Sequence, residues 1–240
     1  MTGIRVNRPL PIADVWRETI AAARRGMAHY LPVAAAFVLL PEVVIDLFGP
    51  PLPKSPAGLT PNLVFVSLVL PSLIALVAQA AIVRLEVDRR GGIDRSVGEG
   101  LLLALRAWPL LVFALLLAAI PIGAGMLLIV PGLYLAGRLA MAMPLVLDGA
   151  DPVAALRRSW ELTNGNGWRV IGFTLLFGGW FILLSAAAAT IGAGVTTLFA
   201  GANAPAVGAV LASTLGAIVA AVFTVFNAVG IATIYGYLRR

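Results

Sequence analysis

Long apolar stretches separated by short polar ones organise this chain. Six of them read as membrane crossings, at residues 31–48, 61–83, 108–130, 133–147, 168–195 and 205–237. At about 1.5 Å per helical residue, a hydrocarbon core of roughly 30 Å needs about 20 residues. The fourth stretch is short by that measure and spans only with thinning or local distortion. The fifth and sixth exceed it and must tilt, kink or protrude. Three polar segments carry helical periodicity of their own, at 12–28, 96–107 and 152–164. In the first, Ile12, Trp16, Ile20, Ala23 and Met27 share a face that avoids Arg17, Glu18, Arg24 and Arg25. In the second, Ser96 and Glu99 have the spacing of a capping box. Val97, Leu101, Leu105 and Trp108 then form a stripe. In the third, Asp151 is placed to cap, Pro152 suits the first helical position, and Gly165 suits the stop. Val153, Leu156, Trp160 and Thr163 make its narrow face.

These segments precede spans one, three and five. The layout therefore reads as three copies of one unit: amphipathic helix, span out, span back. The plainer alternative is that any charged segment ahead of a span looks amphipathic. The predicted fold is an all-α polytopic membrane helix bundle in a single domain, residues 1–240.

Composition narrows the class. Apolar residues are 60% and charged residues 12%, with mean hydropathy +0.98. That excludes an ordinary soluble domain, where about 25% are charged, and also a disordered chain or a fibre. The net charge is +6 and the pI about 10.7. In a soluble domain this balance would raise nucleic acid as a partner. Here the placement of the charges argues otherwise. Arg5, Arg8, Arg17, Arg24 and Arg25 precede span one. Arg84, Arg89, Arg90, Arg95 and Arg106 lie between spans two and three. Arg157, Arg158 and Arg169 lie between spans four and five, and Arg239 and Arg240 end the chain. Fifteen of the seventeen basic residues thus fall on one side, with Lys54 opposite and Arg138 inside span four. The positive-inside rule puts that side, and both termini, in the cytoplasm of a bacterial inner membrane. Trp16, Trp108, Trp160 and Trp168 fall at the same boundary, and Trp180 does not. The first apolar run begins behind a charged segment, so no cleavable signal peptide is expected. Cysteine is absent, so thiol chemistry is excluded.

Candidate chemistry starts with charges inside the spans, because burying them in a bilayer is costly. Glu42 and Asp46 sit one helical turn apart in span one. Counted from the inner ends of their spans, Arg138 and Glu42 come to similar depth, which predicts an ion pair near mid-membrane with Asp46 beside it. Either the pair fixes helix register or the three charges line a path. Span six carries a small residue at every fourth position, including Gly208, Ala212, Gly216 and Ala220, with Asn227 beside the stripe. Such a stripe lets span five, or a second copy, approach closely. Pro41, Pro71, Pro121 and Pro144 interrupt spans, as in simple kinks or in broken transport helices. Enzyme signatures fail: His29 is the lone histidine, and no Ser/His pair, H-E-x-x-H or Walker loop occurs. Asp148 and Asp151 alone are too few for a metal site, and no cofactor is expected.

One stretch is more specific. It runs Pro131-Gly132-Leu133-Tyr134-Leu135, Arg138, Pro144, Asp148, then Ser159-Trp160-Glu161-Leu162-Thr163, Gly165, Trp168 and Arg169. It resembles the membrane domain fused ahead of some bacterial glycerophosphodiester phosphodiesterases, and the free-standing inner-membrane proteins related to it. That family often has Glu where Asp148 stands. The resemblance implies six membrane helices with P-G-x-Y-L-x-x-R and S-W-x-L-T-x-G motifs, and so marks Pro131, Gly132, Tyr134, Arg138, Ser159, Trp160, Thr163 and Gly165. It does not bring the phosphodiesterase reaction, which belongs to a separate barrel.

The expectation for function is a non-catalytic structural, assembly or lipid-interface module of the inner membrane. Its basic inner face would meet anionic headgroups, and a second copy or another membrane protein is a further candidate partner. The alternative is a small transporter using Glu42, Asp46 and Arg138. An intramembrane lipid-modifying enzyme is the third reading.

Overall fold

A computed structural model describes residues 9–50, 55 and 58–239. Arg5, Arg8, Lys54 and Arg240 lie outside the described residues. Every regular element among the described residues is helical, and six helical stretches are long and apolar enough to cross a membrane. The chain is a multi-pass membrane helix bundle. Helix α1 runs Ile12–Phe48, α2 Pro61–Arg90 and α3 Val97–Met126. The fourth crossing, Val130–Leu147, is broken into α4 (Val130–Leu139) and α5 (Ala142–Leu147). Helices α6 (Pro152–Leu162), α7 (Gly167–Gly201) and α8 (Pro205–Leu238) complete the chain.

Local sequence sets these boundaries. Thr60 caps α2 by accepting from the Leu63 N–H, with Pro61 at the first helical position. Ser96 and Glu99 form the full capping box of α3. Asp151 accepts from the Ala154 N–H at the start of α6, again ahead of a proline. At the end of α6, Gly165 takes φ +73°, a left-handed conformation that glycine adopts without strain. The α3–α4 connection is a tight turn at Leu127–Ile129. There Gly125 and Gly132 meet backbone to backbone, and a Cβ on Gly132 would lie 2.5 Å from the Met126 nitrogen.

The three amphipathic segments are all helical, but only the third is a separate helix. The first two are the leading ends of α1 and α3, because nothing ends the helix between them and the spans. Pro32 and Pro109 are both absorbed inside these helices. Span two likewise runs past Val83 to Arg90.

Helices α1 and α2 share an unusual feature. Each carries a five-residue π-helical stretch, Ala35–Leu39 and Phe65–Val69, just before a Leu-Pro pair. Proline offers no N–H to the ladder, so the last donor before it reaches one residue further back. The Leu40 N–H bonds Ala35 O, and the Leu70 N–H bonds Phe65 O.

Helix α8 lies at the centre of the bundle, along α7 and against α1 and α2. The stripe of small residues meets α7 within the same chain. A Cβ at Gly208 would lie 3.0 Å from Thr196 Cα, and Gly192 sits against Ala212. Further along, a Cβ at Gly216 would meet nothing within 4 Å, and Asn227 has no side-chain hydrogen bond among the described residues. We therefore expect Gly208→Ala to destabilise the α7–α8 hairpin by about 1–3 kcal/mol through overpacking. Gly216→Ala should be neutral or slightly stabilising. Unfolding midpoints of the two variants in detergent, compared with the parent, check this.

Candidate functional site at the basic end of the bundle

The break in the fourth crossing organises this site. After Leu139 the helix turns through Ala140 and Met141, freeing backbone groups in the interior. Helix α6 satisfies them. Ser159 Oγ donates to the Arg138 carbonyl at 2.8 Å and accepts from the Met141 N–H at 3.1 Å. Thr163 Oγ1 lies 3.0 Å from the same carbonyl and 2.7 Å from the Ser159 carbonyl, and its single proton is shared between them. Ser159 and Thr163 are both fully buried. The two sequence motifs are thus halves of one latch. Pro131 and Gly132 open α4, with Gly132 packed on the Met126 backbone, and Ser159 and Thr163 cap the break at its far end.

The side chain of Arg138 completes the latch. Its guanidinium lies over the Trp160 ring, 4.3 Å from the centroid, and 5.8 Å from that of Tyr134. Tyr134 packs edge-on against Trp160 and tilted against Trp168. A Cβ at Gly167 would come within 2.9 Å of Arg138 Cδ. Arg138 is only 3% exposed, and its Nε has no partner.

The structure does not bring Arg138 to Glu42. Equal depth would need one straight helix through to Leu147, and the helix is interrupted at Ala140 and Met141. The break turns Arg138 toward α6 and α7 instead, at the basic end. Glu42→Leu is therefore expected not to rescue Arg138→Leu. Recovery of folded protein in the double variant, read by size-exclusion yield, would restore the pair.

Glu42 and Asp46 instead face cavities toward the opposite end. One, of about 270 Å³, is lined by Glu42, Asp46, Ser67, Ser72 and Thr224 beside Pro41 and Pro71. A second, of about 370 Å³, shares the two carboxylates and extends along α7 and α8 past Gly216 and Ala220.

A further network at the basic end holds residues the sequence reading counted only as loop charges. Glu86, 1% exposed, accepts from Tyr30 at 2.6 Å, from Arg90 Nε at 2.7 Å and from Arg89. Arg90 also donates to Thr233 and Glu18, so α1, α2 and α8 meet on one guanidinium. Asp88 takes Arg84 and Arg95. Asp148 takes Arg84 at 3.0 Å, Arg239 at 2.8 Å and the Tyr235 hydroxyl at 2.7 Å. Asp148 is thus an ion-pair hub, while Asp151 caps a helix. The signal was present at residues 84–90, where Arg84–Asp88 and Glu86–Arg90 have i,i+4 spacing. Ending span two at Val83 hid it. His29 is exposed.

A family model described as a domain of unknown function (DUF7847) matches residues 96–238, more than half of the chain. The chain belongs to this family. The DUF7847 match starts at the Ser96 cap and ends with α8. It therefore takes in the whole latch, Asp148 with its Tyr235 partner, and the central helix, while Arg84 and Arg239 fall outside it. No curated protein and no solved structure matches the chain.

Proposed function

We propose that this DUF7847 protein is a non-catalytic inner-membrane module whose basic end faces the cytoplasm and engages anionic lipid. What supports the reading is how the charges divide. The carboxylates of Glu86, Asp88 and Asp148 are taken up by arginines within the bundle. Arg24, Arg25, Arg106 and Arg158 remain exposed at the same end, with no carboxylate partner among the described residues. Exposed Trp160 and Trp168 stand beside them. Basic residues next to interfacial tryptophans are what an anionic headgroup layer attracts, at about 1 kcal/mol per charge. The motif pair also supports relationship to the membrane domain of glycerophosphodiester phosphodiesterases, without that enzyme's reaction. Lipid extracted with the protein in polymer-bounded discs tests the reading. Anionic lipid should be enriched about twofold or more over the bulk membrane, and equal composition would overturn it.

The cavities favour a second reading. Two carboxylates beside paired proline-broken helices suit a small transporter. Arg138 would have no part in it.

A further inference from the structure

Arg138 and the start of α7 meet at one corner of the inner surface, and each lacks an anion. The guanidinium is buried and unpaired among the described residues, with its face on Trp160. Stacking uses the ring face and leaves the N–H edge unspent. A buried cation without a counter-charge is costly. The neighbouring Gly167 is the first residue of a 35-residue helix, and Asn166 makes no side-chain cap to it. The first N–H groups that bond back to the Asn166 carbonyl are those of Arg169 and Val170. The Gly167 and Trp168 N–H groups have no intrahelical acceptor at the positive end of α7, where the Leu10 N–H bonds the Asn166 side chain at 2.8 Å. A helix N-terminus and an arginine fork together match the tetrahedral oxygens of a phosphate. The rim supplies the depth: Trp168 is 61% exposed and Trp160 40% exposed, as for side chains lying in the headgroup layer.

We propose that Arg138 and the N-terminus of α7 bind the phosphate of an anionic phospholipid of the inner leaflet. The proposal rests on the lipid-interface reading and gives it an address. It also gives the latch a second role, since the bound phosphate would sit where α4, α6 and α7 converge.

The test uses the full chain in detergent, with unfolding midpoints followed against short-chain phosphatidylglycerol, short-chain phosphatidylcholine, glycerol phosphate and inorganic phosphate. Phosphatidylglycerol should raise the midpoint saturably, and phosphatidylcholine should not. Arg138→Lys keeps the charge but loses the fork, and should shift half-saturation upward about tenfold. Arg157→Gln, at an exposed arginine already paired with Glu161, should stay within about twofold of the parent. Unchanged saturation in Arg138→Lys would overturn the site. Equal saturation by glycerol phosphate or inorganic phosphate would keep a phosphate site but overturn the lipid. If Arg138→Lys does not fold, native mass spectrometry of the parent decides: one retained phosphatidylglycerol supports the site, and equal retention of phosphatidylcholine overturns it. Lipid enrichment in the discs that persists in Arg138→Lys would show that the site alone had failed. Loss of all enrichment in the parent would remove the underlying reading as well.

Discussion

Glu86→Ala is expected to abolish folded protein, the largest single effect in the molecule. Its carboxylate is the shared acceptor for Tyr30, Arg89 and Arg90. Removing it strips the Tyr30 hydroxyl, a buried side chain, of its acceptor and takes two ion pairs apart. Removing one partner of a buried pair costs about 3–5 kcal/mol, because the partner's desolvation is then uncompensated. The Arg157–Glu161 pair is the control. Both of its side chains are mostly exposed, so Glu161→Ala should change stability by under about 1 kcal/mol. Size-exclusion yield and the unfolding midpoint separate the two. Equal behaviour of the variants would show that the network does not hold α1, α2 and α8 together.

The second large effect is expected at the latch. Ser159→Ala with Thr163→Val leaves the Arg138 carbonyl and the Met141 N–H without partners, and both belong to buried residues. Each buried group left bare costs about 1–3 kcal/mol. The double variant should lose roughly 10 °C or more in midpoint. Ser159→Ala alone should lose less, since the Thr163 hydroxyl remains within reach of the carbonyl and can turn its proton to it. The readout is also structural. Hydrogen exchange should rise selectively across 137–147, where the crossing breaks. Exchange rising uniformly over the chain would mean that the two hydroxyls serve general packing.

These effects show where the sequence was transparent and where it was opaque. The six crossings, the Ser96 and Asp151 caps and the Gly165 stop follow from local rules, and the folded chain keeps them. Motif residues were legible as a set, yet their purpose was not. Ser159 and Thr163 satisfy a helix break that no composition window reveals, because span four reads only as a short apolar run. Arg138 was misplaced for the same reason: counting depth along a helix presumes that the helix continues. The π-helical stretches were equally hidden. Pro41 and Pro71 announced an interruption, but its form depends on where the donors before them find acceptors. The ion-pair network stayed unseen because charges at the end of a span were assigned to topology, which explains their position but not their burial.

The proposed lipid contact requires the basic end to face the cytoplasm, as the positive-inside rule expects, and one measurement tests that directly. The chain has no cysteine, so single cysteines report without background. Asp94→Cys lies in the exposed loop between α2 and α3, and Ala202→Cys in the turn between α7 and α8. Labelling of intact cells with a membrane-impermeant maleimide should modify Ala202→Cys at once and Asp94→Cys only after permeabilisation. The reverse pattern would contradict the account, and so would labelling of both positions in intact cells.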